Sequence, residues 1–233
     1  MQGIYKIMNS KELSQNKGVL AVSQLHDLLD DHRYPSAKQH LIVEIMEQFE
    51  LCFPLEERQR FLIPELLPKE QPDFHWDPQN SLAFQYHYDV LPSSIISRFT
   101  VRLHSLIHLQ TCWHTGVVLT MDDNQALVIA DLEDKKIFIG VTGNDNGKRA
   151  LLATIRSHFD YIHQSISKIR VTAQVPYKDT VIPYQNLLKF MEKGIYTPYL
   201  PELDEEVDLI TLLGDIDGQL PRQPDKNVED LTV

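Results

Sequence analysis

The sequence predicts an α+β protein built in two halves, because helical and strand patterns occupy separate stretches of the chain. In the first half, apolar residues recur at the helix period and then give way to two short apolar runs on either side of Glu56-Glu-Arg-Gln59. In the second half, strands follow one another through short turns at residues 122–124 and 133–135, and such connections force antiparallel pairing. Three prolines between residues 68 and 78 forbid regular structure there. We therefore place a linker at residues 68–80.

The first half, residues 1–70, is predicted to contain a helix, a turn, a second helix and a hairpin. Ser23 precedes a short amphipathic helix at residues 24–30. Ser36 is predicted to cap a longer helix, and the runs at residues 51–55 and 60–63 are predicted to form the hairpin. The apolar face of the longer helix is predicted to consist of Leu41, Ile42, Ile45, Met46 and Phe49. This order of elements is the outline of a winged-helix unit, which often binds DNA through its second helix.

The second half, residues 81–215, is predicted to pack an antiparallel meander on helices. A strand at residues 82–88 ends at Leu91-Pro92, and Ser93 or Ser94 begins a helix that runs to about residue 109. Further strands are predicted at residues 112–121, 125–132, 136–142 and 168–175, and further helices at residues 148–166, 184–193 and 205–213. The buried face of the helix at residues 148–166 is predicted to consist of Leu151, Leu152, Ile155, Phe159 and Ile162. Residues 216–233 end an acidic segment with little apolar surface, and we expect them to be a mobile tail.

The charge and the composition exclude several classes of protein. The chain has 233 residues and 22 basic against 33 acidic side chains, a formal charge of -11, which argues against binding to nucleic acid or anionic membranes. No apolar run approaches the length of a membrane-spanning helix, and residues near Met1 lack the layout of a signal peptide. We therefore expect a cytoplasmic protein. The two cysteines, Cys52 and Cys112, suit a reducing compartment as small buried hydrophobes.

A glycine loop, Thr142-Gly-Asn-Asp-Asn-Gly-Lys148, lies between a predicted strand and a predicted helix, where a phosphate-binding loop would lie. Its spacing is wrong for that role. A P-loop begins with glycine and ends in Gly-Lys-Ser or Gly-Lys-Thr, whereas Thr142 stands at the first position and Arg149 follows Lys148. Arg149 offers no hydroxyl to magnesium. We predict a plain turn in which Gly143, Asn144 and Gly147 supply positive φ angles, and no bound cofactor.

A group of residues with metal-binding side chains lies near the start of the meander: His104, His108, Cys112 and His114. The first two are four apart on the predicted helix, but the position after the first is Ser105, not the glutamate of a zinc protease. The last two begin a predicted strand. We predict neither a metal site nor catalytic residues.

Charge also tests the winged-helix interpretation. The predicted recognition helix, residues 37–50, carries one lysine and three glutamates, and Glu56 and Glu57 stand beside Arg58 and Arg60 in the predicted wing. Phosphate contacts need clustered basic side chains. Such a helix would repel DNA, so a protein-docking scaffold is the better interpretation.

Six segments occur in a fixed order along the chain: Gly3-Ile-Tyr-Lys-Ile-Met8, Phe49-Glu-Leu-Cys-Phe53, Phe61-Leu-Ile-Pro-Glu-Leu-Leu-Pro68, Tyr88-Asp-Val-Leu-Pro-Ser-Ser-Ile-Ile-Ser-Arg-Phe99, Trp113-His-Thr-Gly-Val-Val118 and Arg149-Ala-Leu-Leu-Ala-Thr-Ile-Arg156. They resemble the successive signatures of the COR domain, which follows the Ras-like Roc GTPase in Roco proteins, the family of the leucine-rich-repeat kinases. The similarity continues to about residue 215, and the prokaryotic members are the most similar in character.

The resemblance implies a non-catalytic module that couples the nucleotide state of a Roc GTPase to homodimerisation. It implies an N-terminal half that contacts the GTPase and a C-terminal half that forms the homodimer. Met1 falls about where Roc would end, so we expect a piece of a longer protein or a truncated product, with GTP and magnesium bound only by the missing Roc domain. The alternatives are a winged-helix transcription regulator and, third, a phosphate-handling enzyme at the glycine loop.

The candidate contact with Roc is the corner between the strand at residues 82–88 and the helix that follows. Its residues are Tyr88, Asp89, Val90, Leu91, Pro92 and Arg98. Proline and the serine cap would hold this corner in a fixed geometry. The apolar Val90 and Leu91 are awkward in a turn that faces solvent, so they either contact the GTPase or fill the local core.

Overall fold

The computed structural model describes residues 2–29, 33–77, 81–201 and 203–217, and they form the predicted α+β fold. Of the expected tail at residues 216–233, residues 218–233 lie outside this range, whereas Ile216 and Asp217 belong to the last helix, and Ile216 is buried. No helix within the described residues is both long and apolar enough to cross a bilayer.

The N-terminal half is a group of helices on a small sheet. Its helices are α1 (Gln2–Met8), α2 (Lys11–Gln15), α3 (Leu25–Leu28) and α4 (Ser36–Gln48), and its strands are β1 (Val19–Ala21), β2 (Phe53–Leu55) and β3 (Arg60–Leu62). The predicted hairpin is β2 and β3, and β1 adds to it in the order β1-β3-β2, all antiparallel. The sequence did not reveal β1, which is only three residues long.

The C-terminal half is a seven-stranded antiparallel sheet with helices on one face. Its strands run in the order β10-β9-β4-β8-β7-β6-β5. They are β4 (Leu82–Tyr88), β5 (Ile107–Trp113), β6 (Gly116–Met121), β7 (Asn124–Asp131), β8 (Lys136–Thr142), β9 (Val171–Tyr177) and β10 (Thr180–Pro183). The helices are α5 (Ser94–Arg102), α6 (Asp145–Ser165), α7 (Tyr184–Glu192) and α8 (Leu209–Asp217), and a short ladder joins β11 (Tyr199–Leu200) to β12 (Glu205–Glu206).

The small N-terminal sheet separates two hydrophobic cores because its side chains alternate. Phe61 and Ile63 face the N-terminal core, with Leu13, Leu20 and Met46. Leu62, between them, faces the main core, together with Phe53 from β2 and Phe84, Phe99 and Phe159 from the C-terminal half. Successive residues of a strand point to opposite faces of the sheet. The hairpin of the first half is therefore part of the core of the second.

The described part of the linker, residues 68–77, has no regular structure but is packed. Phe74 stacks on Trp113 with ring centroids 6.0 Å apart. Trp76 lies over Gly140, where a Cβ atom would come within 2.8 Å of the indole. These side chains cover the face of the sheet opposite α5 and α6, together with Val118 and Leu127.

Several predicted elements are wrong in extent or orientation. The helix after Pro92 ends at Arg102, not at residue 109, and a turn of 3₁₀ helix leads into β5. Two of the predicted serine caps are wrong, since Ser23 lies inside a 3₁₀ turn and Ser36 is the first residue inside α4. Ser93 does stand at the N-cap position of α5, but its side chain makes no capping hydrogen bond. The last helix begins at Leu209, since residues predicted to be helical form β12. The strand β10 was not predicted.

Candidate functional site

The corner between β4 and α5 lies at the junction of the two halves, and its residues divide into inward and outward ones. Tyr88 is fully buried, and Leu91 is 9% exposed. Val90 is 70% exposed, and Asp89 and Pro92 are also exposed. The two apolar residues of the predicted contact therefore have different roles: Leu91 belongs to the core, and Val90 is free to meet a partner.

Tyr88 fixes the corner to α6 on its buried side. Its hydroxyl lies 2.8 Å from Nε2 of His163 on α6, and the two rings meet edge to face at 5.5 Å. Burial lowers the pKa of His163, so the ring is held neutral beside the tyrosine. Asp89, on the outer side, forms a loose ion pair with Arg170 at 3.6 Å.

Arg98, the last residue of the predicted contact, joins the two halves in an ion cluster. Glu50, just after α4, accepts a hydrogen bond from Nε of Arg98 at 2.7 Å, and its other oxygen is bound by Arg102. All three side chains are about four-fifths buried. We call Glu50, Arg98 and Arg102 the junction clamp. One carboxylate of the N-terminal half thus holds two arginines on one face of α5.

Side chains of α6 support the clamp from the other side. Arg98 donates to Oγ of Ser165 at 2.8 Å, and Arg102 donates to Nδ1 of His158 at 3.1 Å. The guanidinium of Arg102 also lies 3.8 Å from the ring centre of Tyr161. Burial, with a further contribution from Arg102, lowers the pKa of His158, which keeps it able to accept this bond. The clamp therefore connects three parts of the fold: the turn after α4, helix α5 and helix α6.

Ring stacking and hydrogen bonds extend the junction beyond the clamp. Phe53 stacks on His104 with ring centroids 4.8 Å apart. The amide of His114 donates to the carbonyl of Pro68 at 2.8 Å, and Ser93 donates to Glu65 at 3.3 Å. Packing, stacking and charge therefore all connect the halves.

The clamp was only partly visible in the sequence. Arg98 was predicted to be a contact residue, but Glu50 and Arg102 were not. Arginines four apart on a helix share a face, and this spacing was the available signal. No sequence signal pointed to Glu50, because its position depends on its own left-handed backbone conformation, with φ 57°, in the turn that reverses the chain after α4.

The glycine loop is a structural turn. The side chain of Asn124, which is buried, accepts a hydrogen bond from the amide of Asn144 at 3.1 Å and occupies the space above both glycines. A Cβ atom on Gly143 or Gly147 would come within 2.1 or 2.2 Å of that side chain. Lys148 pairs with Asp145 at 3.0 Å. Only Gly143 of the three predicted residues has a positive φ, and Asn144 instead caps α6.

We predicted no metal site near the start of the meander, and the structure places the candidate ligands considered there in different elements. His104 lies in the 3₁₀ turn, where Nδ1 is 2.9 Å from the carbonyl of Val101, and Cys112 lies in β5. Within the described residues no group of three or more His, Cys, Asp or Glu side chains could hold a metal ion. Burial raises the pKa of Cys52 to about 12 and that of Cys112 to about 11, so neither thiol is an activated nucleophile.

The arginines of the predicted wing are engaged within the chain. Arg58 is bound by Glu47, and Arg60 is bound by Glu56. Nothing in this geometry favours DNA binding.

Comparison with known proteins indicates the same family as the six sequence segments do. The family profile described as C-terminal of Roc, COR-A domain, matches residues 1–67, and the profile described as C-terminal of Roc, COR-B domain, matches residues 79–215. None of the curated proteins matches. Among solved structures, Methanosarcina barkeri Roco2 RocCORdC bound to GDP is 38% identical over 28% of this chain and 22% of that chain, with a TM-score of 0.26. The matched family profiles span most of the chain, and the protein belongs to the COR family of Roco proteins, with a COR-A domain followed by a COR-B domain.

Proposed function

We propose that the chain is the non-catalytic dimerisation and coupling module of a Roco GTPase. In this function it transmits between the nucleotide state of a Roc domain and homodimerisation. The observation that carries the proposal is the family membership of both halves, because COR domains accompany Roc GTPase domains. GTP and magnesium are bound by the Roc domain and not by this chain.

The junction supports the coupling part of the proposal. A movement of one half is transmitted to the other only if the contacts between them are rigid. Interlocked buried contacts have this rigidity. The junction clamp connects three parts of the fold, and Leu62 and Phe53 fill the core of the other half. The two halves therefore move as one body while these contacts persist.

The corner at Asp89, Val90 and Pro92 is the proposed Roc contact within the COR-B domain. An exposed valine two residues before a proline offers a rigid apolar surface, and binding there costs little conformational entropy. Tyr88 and Leu91 fix this surface from below. The N-terminal half is proposed to contact the same GTPase.

The proposed homodimer contact lies in the C-terminal half. The meander ends at β5, an outer strand of the seven-stranded sheet. An unpaired strand edge, or an apolar surface beside it, is a common site of self-association.

The test uses the complete 233-residue chain. Light scattering coupled to gel filtration should give a concentration-dependent dimer, and titration with a separately produced Roc domain should give a complex whose affinity differs between GDP and a non-hydrolysable GTP analogue. The chain alone should bind no labelled GTP. Persistent monomer without Roc binding would contradict the proposal, as would GTP binding that Lys148→Ala abolishes. Salt-dependent binding to duplex DNA would favour a transcription regulator instead.

A further inference from the structure

A groove lies at the edge of the sheet farthest from β5, between strand β10 and helix α7. Its volume is about 280 Å³. One wall is β10, a second is a face of α7 that carries Lys189, Phe190 and Lys193, and the third is the segment around Tyr199 and Leu200. Two residues of its lining, Val181 and Tyr199, are exposed large apolar side chains. The groove therefore offers apolar surface in an open position.

The charge of the groove is opposite to that of the chain. Its charged lining residues within the described part of the chain are Lys189 and Lys193, and no carboxylate lines it there. Both lysines are exposed, and neither has an ion-pair partner within the described residues. The protein as a whole carries 33 acidic against 22 basic side chains. Two free ammonium groups beside an apolar groove are suited to a ligand that combines apolar and acidic groups.

The edge of β10 adds a row of backbone groups to this surface. Val181 pairs with Pro176 of β9. Because proline has no N–H, these two residues cannot exchange hydrogen bonds, so their pair is of the non-hydrogen-bonded kind. The N–H and C=O of Val181 therefore point away from β9, toward the open edge. An extended chain laid along β10 could bond to both groups.

The two edges of the sheet differ in their ability to accept a strand. The pairing of β5 with β6 shifts register between Ile107 and Cys112, so the β5 edge does not offer a regular row of backbone groups to an added strand, and the proposed homodimer contact there rests on the surface beside the strand. The pairing of β10 with β9 is regular over all four residues. The regular edge is the one beside the lysines.

We propose that this groove binds an extended peptide segment of a partner protein, which adds as a strand to β10 and places an acidic side chain against Lys189 and Lys193. Main-chain hydrogen bonds to Val181 supply affinity, and the apolar groove and the lysines select alternating apolar and acidic side chains. The proposal is distinct from the proposed Roc contact, which lies at the corner between β4 and α5, and from the proposed homodimer contact, which is placed beside β5 at the opposite edge of the sheet.

The test measures binding of two synthetic peptides to the full chain: one of alternating valine and glutamate, and one in which lysine replaces every glutamate. Fluorescence anisotropy gives the affinity, and amide chemical shifts in NMR spectra locate the contact. The glutamate peptide should bind and shift the amides of β10 and α7, while the lysine peptide should not bind. The variant K189E/K193E should bind the glutamate peptide at least about tenfold more weakly, and should gain affinity for the lysine peptide. The matched control, K11E/K38E, makes the same change of charge in the N-terminal half and should bind like the original protein.

A second variant tests the strand pairing. Val181→Pro removes the outward N–H without removing a bond to β9, and should weaken binding while circular dichroism shows that the fold is retained. The proposal is overturned if the glutamate peptide does not bind, if K189E/K193E binds the two peptides as the original protein does, or if the shifted amides lie away from β10 and α7. None of these results would bear on dimerisation or Roc binding.

Discussion

At the scale of single residues, Glu50 connects the two halves at the junction, because its one carboxylate binds two mostly buried arginines. Glu50→Gln removes its charge and nearly preserves its shape. We expect a loss of about 1–3 kcal/mol in the free energy of unfolding, since hydrogen bonds between charged groups are lost where water cannot fully replace them. Urea denaturation measures this. The matched control is Glu56→Gln, whose pair with Arg60 is exposed and should contribute well under about 1 kcal/mol. Equal effects would contradict the role given to the clamp.

Gly147 is required by a neighbouring side chain and not by a phosphate. It lies in the first turn of α6, where alanine is the better helix former by about 1 kcal/mol. We nevertheless expect Gly147→Ala to destabilise the protein, because the added methyl would meet Asn124. In Asn124→Ala the same change should cost less, with a coupling of about 0.5–3 kcal/mol in a double-mutant cycle measured by urea denaturation. Additive effects would show that Asn124 is not the cause.

His163 should make stability depend on pH. Burial lowers its pKa in the folded protein below the ordinary value of 6.5, so the unfolded chain binds the proton more readily. The contribution of neutral His163 is therefore complete above that value and is lost as the pH falls below it. We expect His163→Gln to lose less stability than the original protein between about pH 7.5 and pH 5.5. A residual dependence should remain from His158, whose pKa is also lowered. Denaturation curves at the two pH values are the measurement, and equal slopes would contradict the assignment.

At the scale of elements, local signals predicted the type of most helices and strands but not how each one faces its neighbours. The apolar face of α6 was predicted correctly, because its five buried residues repeat over a helix of 21 residues. The face of α4 was predicted only in part. Ile42 and Met46 are buried as predicted, but Leu41 and Phe49 are 52% and 68% exposed, while Gln39 and Val43 are buried. Gln39 is accommodated by its hydrogen bond to the carbonyl of Tyr34 at 2.8 Å. A hydrogen bond from a polar side chain to a backbone carbonyl leaves no mark in hydrophobic periodicity.

The helix α5 shows the same limit at its end. Its apolar spacing continues past Arg102 through Leu103 and Leu106, so periodicity alone extended the helix. Pairing with β6 instead draws the chain from Ile107 onward into β5. The junction clamp was missed for a related reason, since it joins residues about fifty apart in sequence. Contacts of this kind depend on tertiary structure.

The corner between β4 and α5 allows the proposed Roc contact to be separated from stability. Val90→Asp should weaken binding to a Roc domain, because a charge replaces an exposed apolar side chain, and should leave the melting temperature nearly unchanged. Leu91→Ala should lower stability by about 2–5 kcal/mol, because it opens a cavity in the core. Titration with Roc and thermal denaturation distinguish the two effects. Unaltered Roc binding by Val90→Asp would remove this corner from the interface.

At the scale of the whole molecule, COR-A and COR-B are two family domains with a shared interior. The linker between them was expected from its prolines, but its packing was not, because nothing local indicates that Phe74 and Trp76 lie on the sheet. The alternation of side chains in the hairpin of β2 and β3 also does not show which hydrophobic core each face of the hairpin packs against. Separation of the halves would expose Phe53, Leu62 and Leu67, which lie in the main core. For this reason the complete chain is the better subject for tests of dimerisation.

The shared core predicts that the two halves unfold together. Both tryptophans, Trp76 and Trp113, pack on the C-terminal sheet, so their fluorescence reports that half, whereas circular dichroism reports both. Leu13→Ala opens a cavity in the N-terminal core, far from either tryptophan in the packing, and should cost about 2–5 kcal/mol. If the junction couples the halves, the urea midpoint seen by fluorescence should fall by as much as that seen by circular dichroism. Glu50→Gln combined with Leu13→Ala should begin to separate the two midpoints, because the clamp then no longer resists independent unfolding. If Leu13→Ala alone left the fluorescence midpoint unchanged, the two halves would unfold independently. A rigid COR body could not then carry a signal between the Roc domain and the dimer.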